Sequence, residues 1–191
     1  MTKIAIITST TRPSRVSRDV ADWVLARAEE FGGAEYEVVD IADYNLPLLD
    51  EAFPASFQNY QNEHTRTWAA KIAEFDGFIF VVAEYNHSVP AALSNALSFI
   101  AAEFNNKAAG MVGYGSAMGV RSMEHLRGML SELQVAHVQK TGMFNLFTDF
   151  ENFSTFKPTE ISAKSVQPML EQLVSWTRAM QTVRAGELAS A

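Results

Sequence analysis

Short apolar runs alternate with longer segments of helical periodicity, and this alternation constrains the fold of the chain more than any other feature. The runs predicted as strands cover residues 3–8, 36–41, 78–83, 108–112 and 135–138. Strands that alternate with helices predict a parallel sheet with helices on both faces. Five strands favour the flavodoxin-like order 2-1-3-4-5, an α/β three-layer sandwich, over a six-stranded dinucleotide fold.

The helical segments carry their apolar residues on one face. They cover residues 17–31, 65–75, a segment with Pro90 as its first residue, 123–133 and a long final segment, 166–180. Ser17 is predicted to cap the first helix, and residues 42–64 and 139–161 are predicted to be irregular. The chain shows no repeat or linker, so we expect one domain over residues 1–191, with its tail leaving the helix from Ala185.

Composition excludes several classes of function. The 191 residues include 15 Lys and Arg against 22 Asp and Glu, a net charge of −7, and no cysteine. Thiolate catalysis, Cys-based zinc sites and iron–sulfur clusters are therefore excluded. An acidic chain argues against a nucleic-acid partner. No apolar run approaches the length of a membrane span or a secretory signal, so we expect a cytoplasmic protein that does not enter a membrane.

Ligands of such sheets bind beyond the carboxyl ends of the strands, at the switch point of the strand order. The loops that follow the first, third and fourth strands are therefore the places to search. Residues 1–18 contain Lys3, Arg12, Arg15 and Arg18 and no acid, although the chain as a whole is acidic. This local positive charge coincides with the first of the three loops and indicates an anionic ligand.

The first loop, residues 9–17, reads Ser-Thr-Thr-Arg-Pro-Ser-Arg-Val-Ser. Its hydroxyls, its two guanidinium groups and the N–H groups of the helix start are all groups that bind phosphate. It lacks the ending of a Walker loop, the G-x-G-x-x-G of a Rossmann site and the acids of a phosphoacceptor domain. The loop predicts a phosphate-bearing ligand, and the alternative is a polar turn with a capping serine.

The other two loops suit a flat heterocycle. Residues 83–90 read Ala-Glu-Tyr-Asn-His-Ser-Val-Pro, in which Tyr85 and His87 offer ring faces. Residues 113–119 are glycine-rich, which lets backbone approach a ligand closely, and Ser116 adds a hydroxyl. The alternative for both loops is an ordinary surface turn.

No metal site is predicted from the histidines. His64, His125 and His137 fall outside the three loops. None of them forms a spaced ligand pair with His87.

The three loops together resemble the NADPH-dependent FMN reductase family, which has a flavodoxin-like fold. Residues 10–15 (Thr-Thr-Arg-Pro-Ser-Arg) are similar to the family's Ser-Thr-Arg-Pro-Gly-Arg, and residues 83–86 to its Pro-Glu-Tyr-Asn. The second loop with the Ala-Ala-Leu-Ser-Asn-Ala-Leu that follows it is the most specific part, and the resemblance covers about residues 3–180. Thr10, Ser14 and Ala83 depart from the family pattern, and Ser14 tightens the loop if that position needs a positive φ.

This resemblance implies a set of FMN-binding residues. The FMN phosphate is expected among Thr10, Arg12, Arg15, Val16 and Ser17, with Ser9 as the alternative to Thr10. The isoalloxazine ring is expected along Glu84, Tyr85, Asn86, His87 and Ser88, and near Tyr114, Gly115 and Ser116. No side chain is implied as a nucleophile or general base, because the cofactor carries the chemistry. Tyr85 and His87 are expected to shape the acceptor pocket.

The resemblance also implies the activity. Hydride passes from the nicotinamide of NADPH or NADH to FMN, and the electrons then pass to a quinone, a free flavin, an azo compound or a metal oxyanion in a ping-pong sequence. Since the chain has no thiol, all electron transfer passes through the cofactor. Two alternatives stay open: a flavodoxin-type FMN electron carrier, and a regulatory domain without a cofactor.

Aromatic residues near the end of the chain suggest a further surface. Phenylalanines recur every three residues at Phe144, Phe147, Phe150, Phe153 and Phe156. This segment is either a core-packing loop or an aromatic flap over the flavin or against a second subunit. Trp176 lies off the apolar face of the last helix, which suits an oligomer interface. The resemblance implies a homodimer or a homotetramer.

Overall fold

The computed structural model describes residues 1–186, and a five-stranded parallel sheet forms its centre. The strands are β1 (Lys3–Thr8), β2 (Glu35–Val39), β3 (Gly77–Ala83), β4 (Ala108–Gly115) and β5 (Ala136–Asn145). Their order is β2-β1-β3-β4-β5, and every neighbouring pair is parallel. The predicted flavodoxin-like order is confirmed.

Helices cover both faces of the sheet. They are α1 (Ser17–Phe31), α2 (Glu63–Ala73), α3 (Ala91–Ser98), α4 (Val120–Glu132), α5 (Glu160–Ala163) and α6 (Val166–Arg184). Val20 of α1 and Leu170 of α6 are buried in the core on one face. Trp68 of α2, Leu93 of α3 and Leu126 of α4 are buried in the core on the other. The result is the predicted three-layer sandwich.

The central strands follow directly from their sequences. All seven residues of β3 are buried, as are five of the six in β1. A strand covered by helices on both faces reads as a continuous apolar run, which is the pattern that predicts these two strands.

Two strands extend further than predicted. β5 reaches Asn145 instead of residue 138. The apolar pattern stops early because β5 is an edge strand, whose exposed side carries polar residues such as Gln139 and Lys140. β4 reaches Gly115 instead of residue 112, so Gly113 belongs to a strand and not to a loop. A Cβ on Gly113 would lie 2.4 Å from the carbonyl oxygen of Met118, and this close packing explains a glycine inside a strand.

Two helix starts also differ from prediction. Ser17 does not cap α1: Val16 is the N-cap and Ser17 is the first helical residue, with its hydroxyl bonded to Thr10. Pro90 is the N-cap of α3, and Ala91 is its first residue. The extended ψ of Pro90, 137°, lies outside the helical range and causes the one-residue shift.

The phenylalanine repeat has alternate members inside and outside. It spans the end of β5 and a short hairpin of β6 (Phe150–Glu151) and β7 (Thr155–Phe156). Phe144 and Phe156 both pack edge-on against Trp23 of α1, with ring centroids 5.4 and 5.7 Å away. Phe147 and Phe153 are exposed and contact each other at 5.9 Å. The core-packing interpretation therefore holds for Phe144, Phe150 and Phe156, and an aromatic flap formed by the exposed members stays a prediction.

Shorter features complete the described chain. Two 3₁₀ helices, Ile41–Tyr44 and Ala55–Phe57, lie in the segment predicted to be irregular. Within residues 1–186, no helix has the length and apolar character needed to cross a membrane. Helix α6 ends at Arg184, and residues 187–191 of the predicted tail lie outside the described residues. A single domain over the whole sequence stays a prediction.

Candidate functional site

The three predicted loops begin side by side at the carboxyl edge of the sheet. Thr8 at the end of β1 lies opposite Val81 of β3, and Ala83 at the end of β3 lies opposite Tyr114 of β4. The strand order reverses between β1 and β3, which makes this edge the topological switch point. The first loop also bonds to β3, since the N–H of Ala83 donates to the buried Ser9 hydroxyl at 3.0 Å.

Helix α1 begins at this edge with an open N-terminus. Its N-cap, Val16, makes no side-chain hydrogen bond to the first turn. The N-terminus of α4, which meets the same edge, is instead occupied by a carboxylate: the N–H of Arg121 donates to Glu84 at 3.2 Å. Because unpaired N–H groups and the helix dipole attract anions, the N-terminus of α1 has room for a phosphate.

Ser14 gives the first loop its shape. Its φ is 58°, in the left-handed region that favours glycine. Position 14 therefore does need a positive φ, as considered for it in the sequence analysis. Ser14 adopts this conformation at the cost of some backbone strain.

Three hydroxyls form the floor beneath the first loop. Thr10 and Ser17 are buried, and Thr10 Oγ1 donates to Ser17 Oγ at 2.7 Å. Tyr114 at the end of β4 is also buried beside them. Burial raises the pKa of Tyr114, and the Thr10 and Ser17 hydroxyls offset part of that rise. The phenol therefore stays protonated and keeps a proton to donate.

The two arginines of the first loop have different environments. Arg15 is bound to the buried carboxylate of Asp40, with Nη2 2.6 Å from Oδ2. Asp40 also accepts from the Thr8 hydroxyl at 2.8 Å. Arg12 is exposed, and its guanidinium has no ion-pair or hydrogen-bond partner among residues 1–186. Arg12 is consequently the arginine that is free to meet an anion.

The second loop contains a two-residue hairpin turn. Tyr85 and Ser88 exchange backbone hydrogen bonds of 3.2 and 3.0 Å, and Asn86 and His87 between them have φ of 50° and 69°. These angles are typical of a type I′ turn. In the part of the chain that the structure describes, the N–H groups of Asn86 and His87 have no protein acceptor. They are free to bond a ligand.

Glu84 points away from this turn. Its carboxylate accepts from both the backbone and the guanidinium of Arg121 on α4. Burial alone raises the pKa of Glu84, but the Arg121 guanidinium outweighs burial and holds the pKa below its usual value. The carboxylate is therefore ionised and joins the second loop to the third.

The third loop is short because β4 extends into it. The Gly115 carbonyl accepts from Met118 and from Leu146, each at 3.0 Å, which ties the loop to the end of β5. Ser116 is exposed at its tip. Gly119 has φ of 69°, and a Cβ there would lie 2.9 Å from the backbone nitrogen of Tyr114. The loop thus needs glycine for close packing against β3 and β4.

A groove of about 640 Å³ opens beside the first loop. Thr11 lines one end, and the rest lies between the segment after β2 and the start of α3. Its walls are mostly small or apolar, with the amide side chains of Asn45 and Asn95 among them. The candidate site therefore has open space next to the first loop.

Comparison with known proteins identifies the family. The sequence model of the NADPH-dependent FMN reductases matches residues 2–149. The chain belongs to the NADPH-dependent FMN reductase family. It is an oxidoreductase of a family that uses FMN and takes electrons from NAD(P)H.

Individual relatives agree with this assignment. An NAD(P)H-dependent FMN reductase from a Nectria species is 32% identical over 147 residues, which are 74% of this chain and 73% of the relative. A 2-hydroxy-1,4-benzoquinone reductase from a Burkholderia species is 24% identical over 92% of this chain and 96% of its own. The structure of FerB, a flavoenzyme NAD(P)H:(acceptor) oxidoreductase from Paracoccus denitrificans, matches 94% of this chain and 99% of its own with a TM-score of 0.72. At 17% identity, that likeness shows the fold.

The chemistry of the donors at the carboxyl edge fits the FMN of this reductase family. A phosphate needs N–H donors, hydroxyls and a cation, and the open α1 N-terminus, Thr10 and Arg12 supply them. A flavin ring needs N–H donors along its polar edge, and the Asn86 and His87 amides supply two. Among the described residues, the Asn86 and His87 amides and the Arg12 guanidinium have no protein acceptor. The Thr10 hydroxyl is bonded to Ser17 beneath the first loop.

The predicted site residues all lie at this edge, but some of their side chains are already engaged by other protein groups. Arg15 and Glu84 are engaged by Asp40 and Arg121, and Val16 packs against the core on the α1 face. The predicted contacts of all thirteen residues with FMN stay predictions.

Sequence reasoning missed several residues that shape this reductase site. Asp40 falls inside the strand predicted over residues 36–41, whereas β2 ends at Val39 and thereby places the Asp40 carboxylate at the carboxyl edge. Arg121 and His125 carried no signal, since charged residues spaced four apart are ordinary on a helix surface.

Proposed function

We propose that this chain is an FMN-dependent NAD(P)H oxidoreductase that reduces small-molecule acceptors, quinones foremost. The observation that carries the proposal is the open N-terminus of α1, with the free Arg12 and the Thr10–Ser17 hydroxyls beside it, next to a turn with two free N–H groups. FMN, when bound, accepts hydride from the nicotinamide and delivers electrons to the acceptor. The protein binds and orients the reactants.

Two sets of residues hold FMN in this proposal. The phosphate is held by Thr10, Arg12 and Ser17 together with the first-turn N–H groups after Val16, while Arg15 fixes the loop through Asp40. The flavin ring is bordered by Glu84, Tyr85, Asn86, His87 and Ser88 on one side and by Tyr114, Gly115 and Ser116 on the other. The neutral Tyr114 hydroxyl, which lies beside Thr10 and Ser17, is available as a hydrogen-bond donor between the ring and the phosphate.

Quinones are the proposed acceptor class because a relative that spans nearly the whole chain is named a 2-hydroxy-1,4-benzoquinone reductase. A flavin, an azo compound or a metal oxyanion is the further proposed range. In this proposal the donor and the acceptor take turns at one site, against the exposed face of the flavin. Parallel lines in double-reciprocal plots at several quinone concentrations are the expected ping-pong pattern.

A homodimer or homotetramer in the cytoplasm is part of the proposal. Large apolar side chains are exposed at Leu48, Phe57, Phe147, Phe153 and Trp176, and the Phe147 and Phe153 rings contact each other, which suits a subunit interface. No nucleic-acid partner is proposed for a chain with a net charge of −7.

Arg12→Ala tests the phosphate site. The variant should bind FMN about 10- to 100-fold more weakly, because a hydrogen bond to a charged group is worth about 1.5–3 kcal/mol. Titration of flavin fluorescence against protein measures this affinity. Arg27→Ala is the matched control, since Arg27 lies near the far end of α1 and pairs with Glu30. Equal affinity of the two variants would show that the phosphate lies elsewhere.

A further inference from the structure

The backbone of the turn formed by residues 85–88 is strained, because the turn lacks the glycine that would adopt its conformation without strain. A type I′ turn needs φ above zero at both central positions and usually has Asn-Gly there. This chain has Asn86 followed by His87, whose φ of 69° is unfavourable for a residue with a Cβ. Strained backbone at a functional site persists where surrounding contacts hold it.

Two contacts to helix α4 hold this turn from both ends. Glu84, just before the turn, accepts from the guanidinium and the N–H of Arg121. Ser88, its last residue, has Oγ 3.0 Å from Nδ1 of His125. Arg121 and His125 are four residues apart and therefore share one face of the helix. We call these two contacts the α4 clamp.

Helix α4 is a firm base for such a clamp. Met123, Leu126 and Leu130 on its inner face are buried in the core with α2 and α3. On its other side Arg121 is half-buried and His125 is exposed. A rigid helix thus fixes the position of a turn whose free N–H groups face the site.

We propose that Arg121 and His125 are positioning residues, which set the flavin-facing turn through Glu84 and Ser88 and so set the redox potential of bound FMN. This inference rests on the proposed function. Backbone N–H groups favour the extra negative charge of the reduced ring, so a misplaced turn weakens binding of reduced FMN more than of oxidised FMN. The potential then falls.

The test uses His125→Ala, Arg121→Met and the double variant, with His125→Asn and Arg121→Lys as conservative replacements. Asn places a nitrogen near the position of Nδ1, and Lys keeps the cation. Glu124→Gln is the matched control, because Glu124 lies on the same helix and contacts Arg127 instead of the turn. The readouts are FMN affinity by fluorescence and the midpoint potential by spectroelectrochemical titration.

The double variant should bind oxidised FMN about threefold more weakly and reduced FMN about tenfold more weakly again. A tenfold excess for the reduced form corresponds to a fall of about 30 mV for a two-electron couple. The Asn and Lys variants should restore most of the potential, and Glu124→Gln should match wild type.

An unchanged potential in the double variant, or a loss of thermal stability alone, would overturn the proposal. Because His125 is exposed, His125→Ala gives a folded test protein even if the double variant does not fold. Failure of wild-type protein to bind FMN would instead contradict the proposed function, so the two failures are distinguishable.

Discussion

At the scale of single residues, buried carboxylates organise the loops around the site. Asp40 follows β2, Glu84 follows β3 and Asp149 follows β5. Each accepts a hydrogen bond from a backbone N–H, that of Ala42 for Asp40, of Arg121 on α4 for Glu84 and of Asn145 for Asp149. Burial raises the pKa of each, but these hydrogen bonds outweigh it and leave every one of the three below its usual value. The acids of this acidic chain therefore hold its loops and helix ends in place, and the Arg12 guanidinium is left without a partner among the described residues.

Asp40→Asn should make stability less sensitive to acid. The pKa of Asp40 is lower in the folded state than in the unfolded state, so its contribution is complete above about pH 4 and is lost as pH falls through the folded pKa. The variant should lose about 1–3 kcal/mol of unfolding free energy near neutral pH, because Arg15 is left without its partner. Urea unfolding at about pH 7 and about pH 3 measures the difference, which should shrink in acid.

Asp22→Asn is the control for this experiment. Asp22 is exposed and pairs with Arg18 on the surface of α1, where an ion pair contributes little. A deficit of Asp40→Asn that stays constant over this pH range would contradict the assigned role of the Asp40 carboxylate.

At the scale of elements, the strands that can be predicted from the sequence are those whose residues are nearly all buried. β1 and β3 are buried on both faces and read as apolar runs. The apolar pattern predicts the start of β5 but not its last seven residues, because one edge of the strand is unpaired and its exposed residues are polar. Its register with β4 also shifts between Ala109 and Met111, which no short-range pattern shows.

The site was predictable as a set of loops but not as a set of contacts. The switch point follows from the order of strands and helices, so the first and second loops could be located from sequence. The partners of Arg15 and Glu84 could not, since each lies more than 20 residues away along the chain. Contacts of that range depend on the packing of whole elements.

Two glycines at the start and in the middle of α4 should respond oppositely to alanine. Gly119→Ala should destabilise the protein by about 2 kcal/mol or more, since its φ is 69° and the new Cβ would lie within 3.0 Å of three backbone atoms. Gly128→Ala should stabilise it by about 0.5–1 kcal/mol, because Gly128 is exposed in the helix with open space around it. Thermal or urea unfolding of both variants measures the pair.

The Gly128 variant serves as the control for the Gly119 variant, because both make the same chemical change. If Gly119→Ala were as stable as wild type, the third loop would not have the close packing against β3 and β4 described above.

At the scale of the whole molecule, the carboxyl ends and the amino ends of the strands carry different kinds of residues. The carboxyl edge carries the site, with the free Arg12 and two open amide groups. The amino edge is structural, and it contains a buried Lys107 that donates to the Ile72 carbonyl at 3.1 Å near the Arg184–Asp76 pair. Burial and the nearby Arg184 lower the pKa of Lys107 to about 8.

Lys107 should make the protein more stable in mildly alkaline solution. Its pKa is lower in the folded state than in the unfolded state, about 10.4, so the unfolded chain binds more protons between these values and unfolding free energy rises with pH there. Wild type should gain about 1–2 kcal/mol relative to Lys107→Met between about pH 8 and pH 10. Parallel pH profiles of the two proteins would contradict the lowered pKa.

The family, the fold and the donor set at the carboxyl edge all lead to one central claim, that this chain uses bound FMN to oxidise a nicotinamide. Its most direct test is the visible spectrum of the FMN-loaded protein without oxygen, recorded before and after addition of NADH or NADPH and again after a quinone. The flavin absorption should disappear with at least one nicotinamide and return with the quinone. A spectrum unchanged by both nicotinamides would indicate an electron carrier, and protein that stays colourless after incubation with FMN would contradict the account altogether.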